Sequence, residues 1–350
     1  KALRKEPHAR DWFYLPSWKR TPLPRPVAEQ AGNWLLFGES GGLTAHMAAR
    51  MREEGQQAIT VTPGGRFAQV NEGHYLLNPQ EPEHYDRLLR ALAATGTAPA
   101  GIAYLWGMGH GDKPVGEALD AGYYPLLYLA QALGRQPEVG SVEIDLITDG
   151  LHDVTGGEPL PVGAAPLLGL GRVIPQEYPG MRCRVVDVLG APDRAPKAAQ
   201  LADWLARECL SGAAETVVAY RGRHRWVQAF ERIAGSDTGP EAVLRQGGVY
   251  LITGGLGRIG LTLAGQLARR VQARLALVDR VALPPREDWD GWLSAHDEAD
   301  PTSARMRAVR ACEALGAEVL LLQADVADRA QLERAVAETM SRFGALHGAV

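Results

Sequence analysis

Short apolar runs alternate with amphipathic stretches along most of this chain. The runs NWLLFG (33–38), AITVT (58–62), GIAYLW (101–106), VEIDLIT (142–148), RCRVVDV (182–188) and ETVVAY (215–220) predict strands. Helical patterns lie between most of them, at 43–54, 83–94, 117–134, 163–173 and 196–210. Strands alternating with helices of this length predict a largely parallel sheet covered on both faces. RGRHRWVQAFERI (221–233) predicts a closing strand with its basic residues on the exposed side.

After IAGSDTGPEAVLRQGG (233–248), rich in small and turn residues, the pattern restarts. It predicts a strand at 249–253, a helix at 258–271, a strand at 274–279, a helical pair within 286–315, a strand at 317–322 and a helix at 328–342. ALHGAV (345–350) predicts a fourth strand that has only begun. A buried parallel strand cut short leaves sheet edge uncovered, so the expectation is a sequence taken from something longer. At the other end, SWKRTPLPRPVAEQAG (17–32) carries Pro22, Pro24, Pro26 and Gly32 and predicts an extended linker or edge lead-in.

Composition narrows the class. The 350 residues suffice for about two domains, and 46% hydrophobic with 22% charged residues is the balance of a soluble globular protein. A net charge of −4 without a dense Lys/Arg block argues against nucleic acid or an anionic membrane as partner. No apolar run approaches the roughly 20 residues of a membrane span. The opening KALRKEPHARDW has no apolar core behind it and is not a secretory signal. Cys183, Cys209 and Cys312 are few and far apart, which argues against a disulfide framework or zinc and fits a reducing cytoplasm.

Two glycine-rich turns follow strands. In LITGGLGRIG the strand runs into Thr253, Gly254, Gly255, Leu256, Gly257, Arg258, Ile259 and Gly260. Glycines 254, 257 and 260 allow a tight turn, close approach to a pyrophosphate and close packing of helix on strand. The next helix is expected to bury Ile259, Leu263, Leu267 and Val271, leaving its N-terminal N–H groups and positive dipole end toward phosphates. The second strand ends at Asp279-Arg280; a carboxylate there accepts from ribose hydroxyls, and an arginine favours a 2′-phosphate. The third ends in QADVAD (323–328), which puts Asp325 near the expected adenine edge. Together these predict a dinucleotide half-site.

The earlier turn, FGESGGLTAHMAARM, has a good helical stripe in Leu43, Met47 and Met51 but poorer loop chemistry. Glu39 sits where a pyrophosphate would approach and would repel it. Thr44 stands at the third glycine position, and the next strand ends in VTPGG (61–65) without a carboxylate; Arg66 lies beyond a turn. This loop is expected to be structural. The fold class is therefore α/β, with two Rossmann-like parallel-sheet units in tandem, the first a degenerate structural copy and the second truncated after its fourth strand begins.

At these residues the chain resembles a known family. VYLITGGLGRIGLTLAGQLARR, LALVDR, EALGAEVLLLQADVAD and FGALHGAV resemble the first half of the catalytic subdomain of modular type I polyketide synthase ketoreductases, in the short-chain dehydrogenase/reductase superfamily. DWFYLPSWKRTPLP, GLGRVIPQEYPGMRCRVVDV and VAYRGRHRWVQAFERI resemble the family's structural subdomain, a truncated Rossmann-like fold without cofactor. The resemblance implies NADPH-dependent reduction of a β-ketoacyl thioester on an acyl carrier protein, within a multidomain synthase. It assigns Gly254, Gly255, Leu256, Gly257, Ile259 and Gly260 to the phosphate loop, Arg280 to the 2′-phosphate, and Asp325-Val326 to adenine. Arg258 departs from the family, where glycine is common, and its side chain is expected to point outward or along the phosphates. Asp279 departs where serine or glycine is commoner; NADPH is still the expected cofactor.

The same resemblance divides the chain into a linker and lead-in (1–32), a structural subdomain (33–235), a connector (236–247) and the N-terminal half of the NADPH-binding catalytic subdomain (248–350). The family's catalytic serine, tyrosine and lysine or asparagine lie beyond the fourth strand, so these residues alone are not expected to reduce a substrate. Ser341 precedes the fourth strand and Tyr250 lies inside the first, so neither fits a catalytic role. The alternative is a non-catalytic ketoreductase-like scaffold organising neighbouring synthase domains; a stand-alone reductase is disfavoured by the long upstream pseudo-repeat.

Other features have simpler readings. His152-Asp153 and His110-Asp112 lack a second cluster at ligand spacing and read as solvated loops. Trp12, Trp18, Trp34, Trp106 and Trp204 read as core and linker packing. DWDGWLSAHDEAD (288–300) reads as a connecting segment, with a docking surface as the alternative. Arg221, Arg223, His224 and Arg225 read as a solvated strand edge, or as a patch steering an acidic carrier protein.

Overall fold

Apolar side chains on alternate strand positions face opposite sides of the sheet, and in the computed structural model this divides each core in two. The structure describes residues 9–26, 32–110, 113–136, 140–189, 195–233, 244–297 and 299–350. The chain forms two units, Lys1–Ala234 and Gly235–Val350. The linker at 27–31 and most of the connector, 236–243, lie outside the described residues.

The first unit runs β1 (Tyr14–Thr21), β2 (Asn33–Phe37), α1 (Gly42–Glu53), β3 (Gln57–Pro63), β4 (Ala68–Asn71), β5 (His74–Leu77), α2 (Pro82–Ala94) and β6 (Gly101–Tyr104). It continues with α3 (Val115–Ala118), a π-helical turn (Leu119–Tyr123), α4 (Tyr124–Gly134), β7 (Val142–Asp149), α5 (Pro166–Glu177), β8 (Met181–Val188), α6 (Ala195–Cys209), β9 (Val217–Arg221) and β10 (His224–Arg232). The sheet order is β1-β10-β9-β8-β7-β6-β2-β3-β5-β4. From β9 to β5 every pair is parallel, and β1, β10 and β4 close the edges antiparallel.

The parallel part winds outward from β2 in both directions, the doubly wound order. Leu35 and Phe37 of β2 face a core shared with α2, α4 and α5, through Leu88, Leu129 and Leu170. Trp34 and Leu36 face the opposite core, closed by α1 and α6 through Met47, Met51 and Leu205.

Several expectations need correction. The segment read as linker and lead-in contains β1, which pairs with β10 from Tyr14↔Arg232 to Thr21↔Arg225. The hairpin β4–β5 was not expected; its strands have four residues each, too few for a clear alternation. The strand expected over 101–106 stops at Tyr104, and Leu105–Gly107 form a 3-10 turn. Trp12 is 57% exposed.

Two of the basic residues at this edge, Arg221 and Arg225, are not solvated. Arg225, 4% exposed, forms a bidentate pair with Glu208 at 2.7 and 2.8 Å. Arg221, 6% exposed, reaches Asp187 at 2.7 Å and Glu158 at 2.9 Å. Only Arg223 of the three arginines is exposed. Their partners come from distant elements, so local sequence could not reveal the burial.

The second unit comprises β11 (Val249–Thr253), α7 (Arg258–Val271), β12 (Arg274–Asp279), α8 (Trp289–Ala295), α9 (Pro301–Ala314), β13 (Glu318–Gln323), α10 (Arg329–Phe343) and β14 (Gly348–Ala349). All strands are parallel, in the order β13-β12-β11-β14. Helices α7 and α9 pack on one face, where Ala264, Ala268, Met306 and Val309 meet Ile252 and Leu277. Ala335 of α10 meets Leu251, Ala276 and Val278 on the other. No described helix is long and apolar enough to cross a membrane.

Residues 288–297, 299 and 300 are built into this unit. Trp289 is 1% exposed, with the Arg286 guanidinium 4.2 Å from its ring centre. Trp292 stacks on His296 and donates to Asp300, whose side chain also caps α9 by accepting from Ser303 N–H at 2.7 Å.

Candidate functional site

Strands β11, β12 and β13 are parallel and in register, so Thr253, Asp279 and Gln323 bring their following loops to one edge of the sheet. The β11–α7 loop shows why its glycines are needed. Gly254 has φ +60, and a Cβ there would meet nothing within 4 Å, so its backbone is bare. A Cβ on Gly255 would lie 2.8 Å from Leu277, and one on Gly260 2.4 Å from the Gly254 carbonyl oxygen. These two hold helix, loop and strand in contact. Gly257 N–H closes the turn onto the Gly254 carbonyl at 2.9 Å.

Helix α7 begins at Arg258 after Gly257, which provides no side-chain cap, and its first turn has no acidic residue. Its leading N–H groups have no intrahelical partners, and the positive end of the helix lies behind them. Thr253 is exposed, and its N–H and hydroxyl both donate to the Val350 carbonyl, at 2.8 and 3.0 Å. Arg258 is exposed and borders the cavity at the start of α7.

The buried stripe of α7 differs from the expected one. Gly260, Ala264, Ala268 and Val271 face the core, while Ile259 is 77% and Leu263 36% exposed. Small residues bring the helix axis close to the sheet, and the larger apolar residues at 259 and 263 are turned off that contact. They line a cavity of about 440 Å³ with Thr253, Gly254, Gly257 and Val350.

Leu256 is 4% exposed, and its N–H donates to Asp279 Oδ2 at 3.1 Å. Asp279 Oδ1 accepts from Val281 N–H at 3.1 Å. Both oxygens of the residue expected at a ribose thus hold backbone. Arg280 beside it is exposed and has no ion-pair partner among the described residues. Asp325 Oδ1 accepts from Ala327 N–H at 2.9 Å, and Val326 is 50% exposed. The twelve residues expected at the cofactor therefore share one edge of one unit.

Of the two histidine loops expected to be solvated, the one at His110 is buried, while the one at His152-Asp153 is largely exposed with His152 itself half-buried. His110 is 6% exposed and its Nε2 meets the Trp106 carbonyl at 2.6 Å; Asp112 lies outside the described residues. Burial lowers the His110 pKa, the Trp106 carbonyl acts against that, and the Lys113 charge lowers it further. His152 packs edge-on against Trp18 with ring centres 5.3 Å apart. Among the described residues no cluster of His, Cys, Asp or Glu could hold a metal.

A parallel sheet in doubly wound order with a glycine turn before a helix defines the class of Rossmann-like α/β proteins. Comparison with known proteins carries this to a family. Residues 32–208 match the model described as Beta-ketoacyl synthase-like, N-terminal, and residues 248–350 match that of the KR domain. The chain belongs to this family, the ketoreductase regions of polyketide synthases.

It is 34% identical over 188 residues to 6-methylsalicylic acid synthase of Penicillium patulum, covering 53% of this chain and 10% of that protein. It is 31% identical over 218 residues to one chain of the phenolphthiocerol/phthiocerol polyketide synthase of Mycobacterium tuberculosis, covering 62% of this chain and 10% of that one. The chain thus spans about a tenth of the curated relatives it matches. Its fold is similar to an N-terminal ketoreductase from the macrolactin assembly line, with a TM-score of 0.64 at 22% identity over 96% of this chain and 64% of that one. The first ketoreductase of the tylosin PKS gives 0.61 at 20% identity, over 96% and 61%.

Proposed function

We propose that this chain is the structural and cofactor-binding part of a polyketide synthase ketoreductase. In the intact synthase it serves NADPH-dependent reduction of a β-ketoacyl thioester, carried on an acyl carrier protein, to the β-hydroxyacyl form. One observation supports it most: an uncapped helix start and an unpaired arginine follow neighbouring strands at the same sheet edge. The residues fit an NADP-type cofactor, since the bare backbone at Gly254 and the open N–H groups of α7 suit a pyrophosphate.

In this reading Thr253 to Gly260 hold the pyrophosphate, Arg280 pairs with the 2′-phosphate, and Asp325 with Val326 borders adenine. The Asp279 carboxylate, engaged by two backbone N–H groups, anchors the loop and does not select NADH. When bound, the cofactor supplies hydride through its nicotinamide. The proton donor to the nascent alkoxide belongs to the family's serine, tyrosine and lysine or asparagine, and no residue described here takes that role. Neighbouring synthase domains are the proposed partners, and the cytoplasm the proposed location.

The test is NADPH consumption by the intact synthase on a β-ketoacyl thioester, with and without Arg280→Gln. The expected result is a higher KM for NADPH with little change in kcat. An unchanged KM would overturn the assignment of Arg280, and a folded synthase that never consumes NADPH would favour the scaffold.

A further inference from the structure

A positive charge reaches the glycine loop of the second unit from a helix that carries no part of the glycine motif. Arg305 opens the second turn of α9, which packs on the same face of the sheet as Leu256. Its Nε–H donates to the Leu256 carbonyl at 3.3 Å. The N–H of the same leucine donates to Asp279 Oδ2 at 3.1 Å. Leu256 is thus held at both ends of its own backbone, by a carboxylate from β12 and a guanidinium from α9.

A bond to a neutral carbonyl leaves the guanidinium charge uncompensated. Arg305 is half-buried and has no ion-pair partner among the described residues. Its neighbours behave differently: Arg310 of the same helix pairs with Asp290 at 2.8 Å, and Arg286 pairs with Glu313 at 2.8 Å. A cation partly withdrawn from water without a counter-charge is unfavourable, and an anion bound at the loop removes that cost.

The charge balance at the strand end shows what such a cation does there. Asp279 brings one negative charge to the end of β12 and Arg280 one positive charge, so the pair is neutral. A phosphate monoester carries about −1.5 to −2 at neutral pH and gains little from a neutral pair. Two hydrogen bonds through Leu256 join Arg305 to Asp279. That span is comparable with the screening length of about 10 Å at 0.1 M salt, so the three charges act on one site.

We propose that Arg305 is a specificity-determining residue for the cofactor. Its charge offsets Asp279 across the Leu256 peptide and leaves the charge of Arg280 to the adenosine 2′-phosphate. This inference rests on the cofactor site proposed above and adds a residue that neither the glycine turn nor a strand end points to. It also gives a reason why an acid at the end of β12 does not turn the site toward the unphosphorylated cofactor.

The test is calorimetric titration of the full 350-residue chain with 2′,5′-ADP and 5′-ADP. The unsubstituted chain is expected to bind 2′,5′-ADP about tenfold tighter. Arg305→Gln can still donate to the Leu256 carbonyl but carries no charge. It should cut the ratio to about twofold or less by weakening 2′,5′-ADP, the loss of a partly exposed charge contact. Arg305→Met should do the same, and serves if the glutamine variant fails to fold. Arg305→Lys, which keeps the charge, should keep most of the ratio. Arg307→Gln, about 200° round the helix from Arg305, should leave it unchanged.

A tenfold ratio that survives Arg305→Gln would overturn the inference and leave the cofactor site standing. So would an equal weakening of both nucleotides, which marks a loop-holding role, or a ratio lost as fully in Arg305→Lys or Arg307→Gln. Binding of neither nucleotide, or no preference in the unsubstituted chain, would overturn the cofactor reading itself and this inference with it.

Discussion

Asp279 Oδ2 accepts a hydrogen bond from the Leu256 backbone N–H at 3.1 Å, which ties the glycine loop to the end of the neighbouring strand. An acidic residue at this point of a nucleotide-binding sequence suggests a ribose acceptor. Here the carboxylate is also held by Val281 N–H, so it shapes the loop from within.

Replacing Asp279 with alanine should therefore act on the loop more than on cofactor choice. We expect a loss of about 1.5–3 kcal/mol in unfolding free energy, the size of a lost hydrogen bond to a charged acceptor. Chemical denaturation measures it. NADPH and NADH affinities should fall together; a switch between them would show that Asp279 selects the cofactor.

The glycines of α7 divide by what surrounds them. Gly260→Ala should destabilise the second unit, because its Cβ would lie 2.4 Å from the Gly254 carbonyl and 2.8 Å from Gly255 Cα. Gly265→Ala, in the same helix with nothing within 4 Å, should stabilise by about 0.5–1 kcal/mol through helix propensity. Melting curves of the two variants should move in opposite directions.

Arg225→Ala should lower the melting temperature sharply, since it leaves Glu208, 0% exposed, without its bidentate partner. Breaking a buried pair in this way costs about 3–5 kcal/mol. Arg223→Ala, at an exposed position, should change little. Charge reversal at Arg221 or Arg225 therefore cannot test carrier-protein steering, because it attacks the core first.

Buried His110 and half-buried His152 predict an acid-sensitive first unit. Burial lowers the pKa of His110 and of His152, with Lys113 adding to the first and Asp187 opposing the second. The unfolded chain then binds protons more readily than the folded one. Stability contributed by the neutral rings is full above the unfolded value near pH 6.5 and declines as pH falls from there toward the folded values. Denaturation between pH 7.5 and 5, about that unfolded value, should show the decline, with a smaller slope in His110→Gln.

Much of this architecture was legible because buried parallel strands are continuous apolar runs that local sequence reveals. Helix α7 was found at its observed limits, yet its inner face was misassigned: Ile259 and Leu263 look like core, while Gly260, Ala264 and Ala268 achieve closer contact. Charge at Arg221 and Arg225 reads as surface until Asp187, Glu158 and Glu208 arrive from other elements. The glycine loop was readable because strand, turn and helix are contiguous in the chain.

The central claim is that the second unit holds the adenosine and 2′-phosphate end of NADPH. Titration of this chain with 2′,5′-ADP and with 5′-ADP, before and after Arg280→Gln, tests it most directly. The account predicts that 2′,5′-ADP binds about tenfold tighter than 5′-ADP, from one charge-assisted contact, and loses that advantage in the variant. Equal or tighter binding of 5′-ADP, or a preference that survives Arg280→Gln, would contradict it.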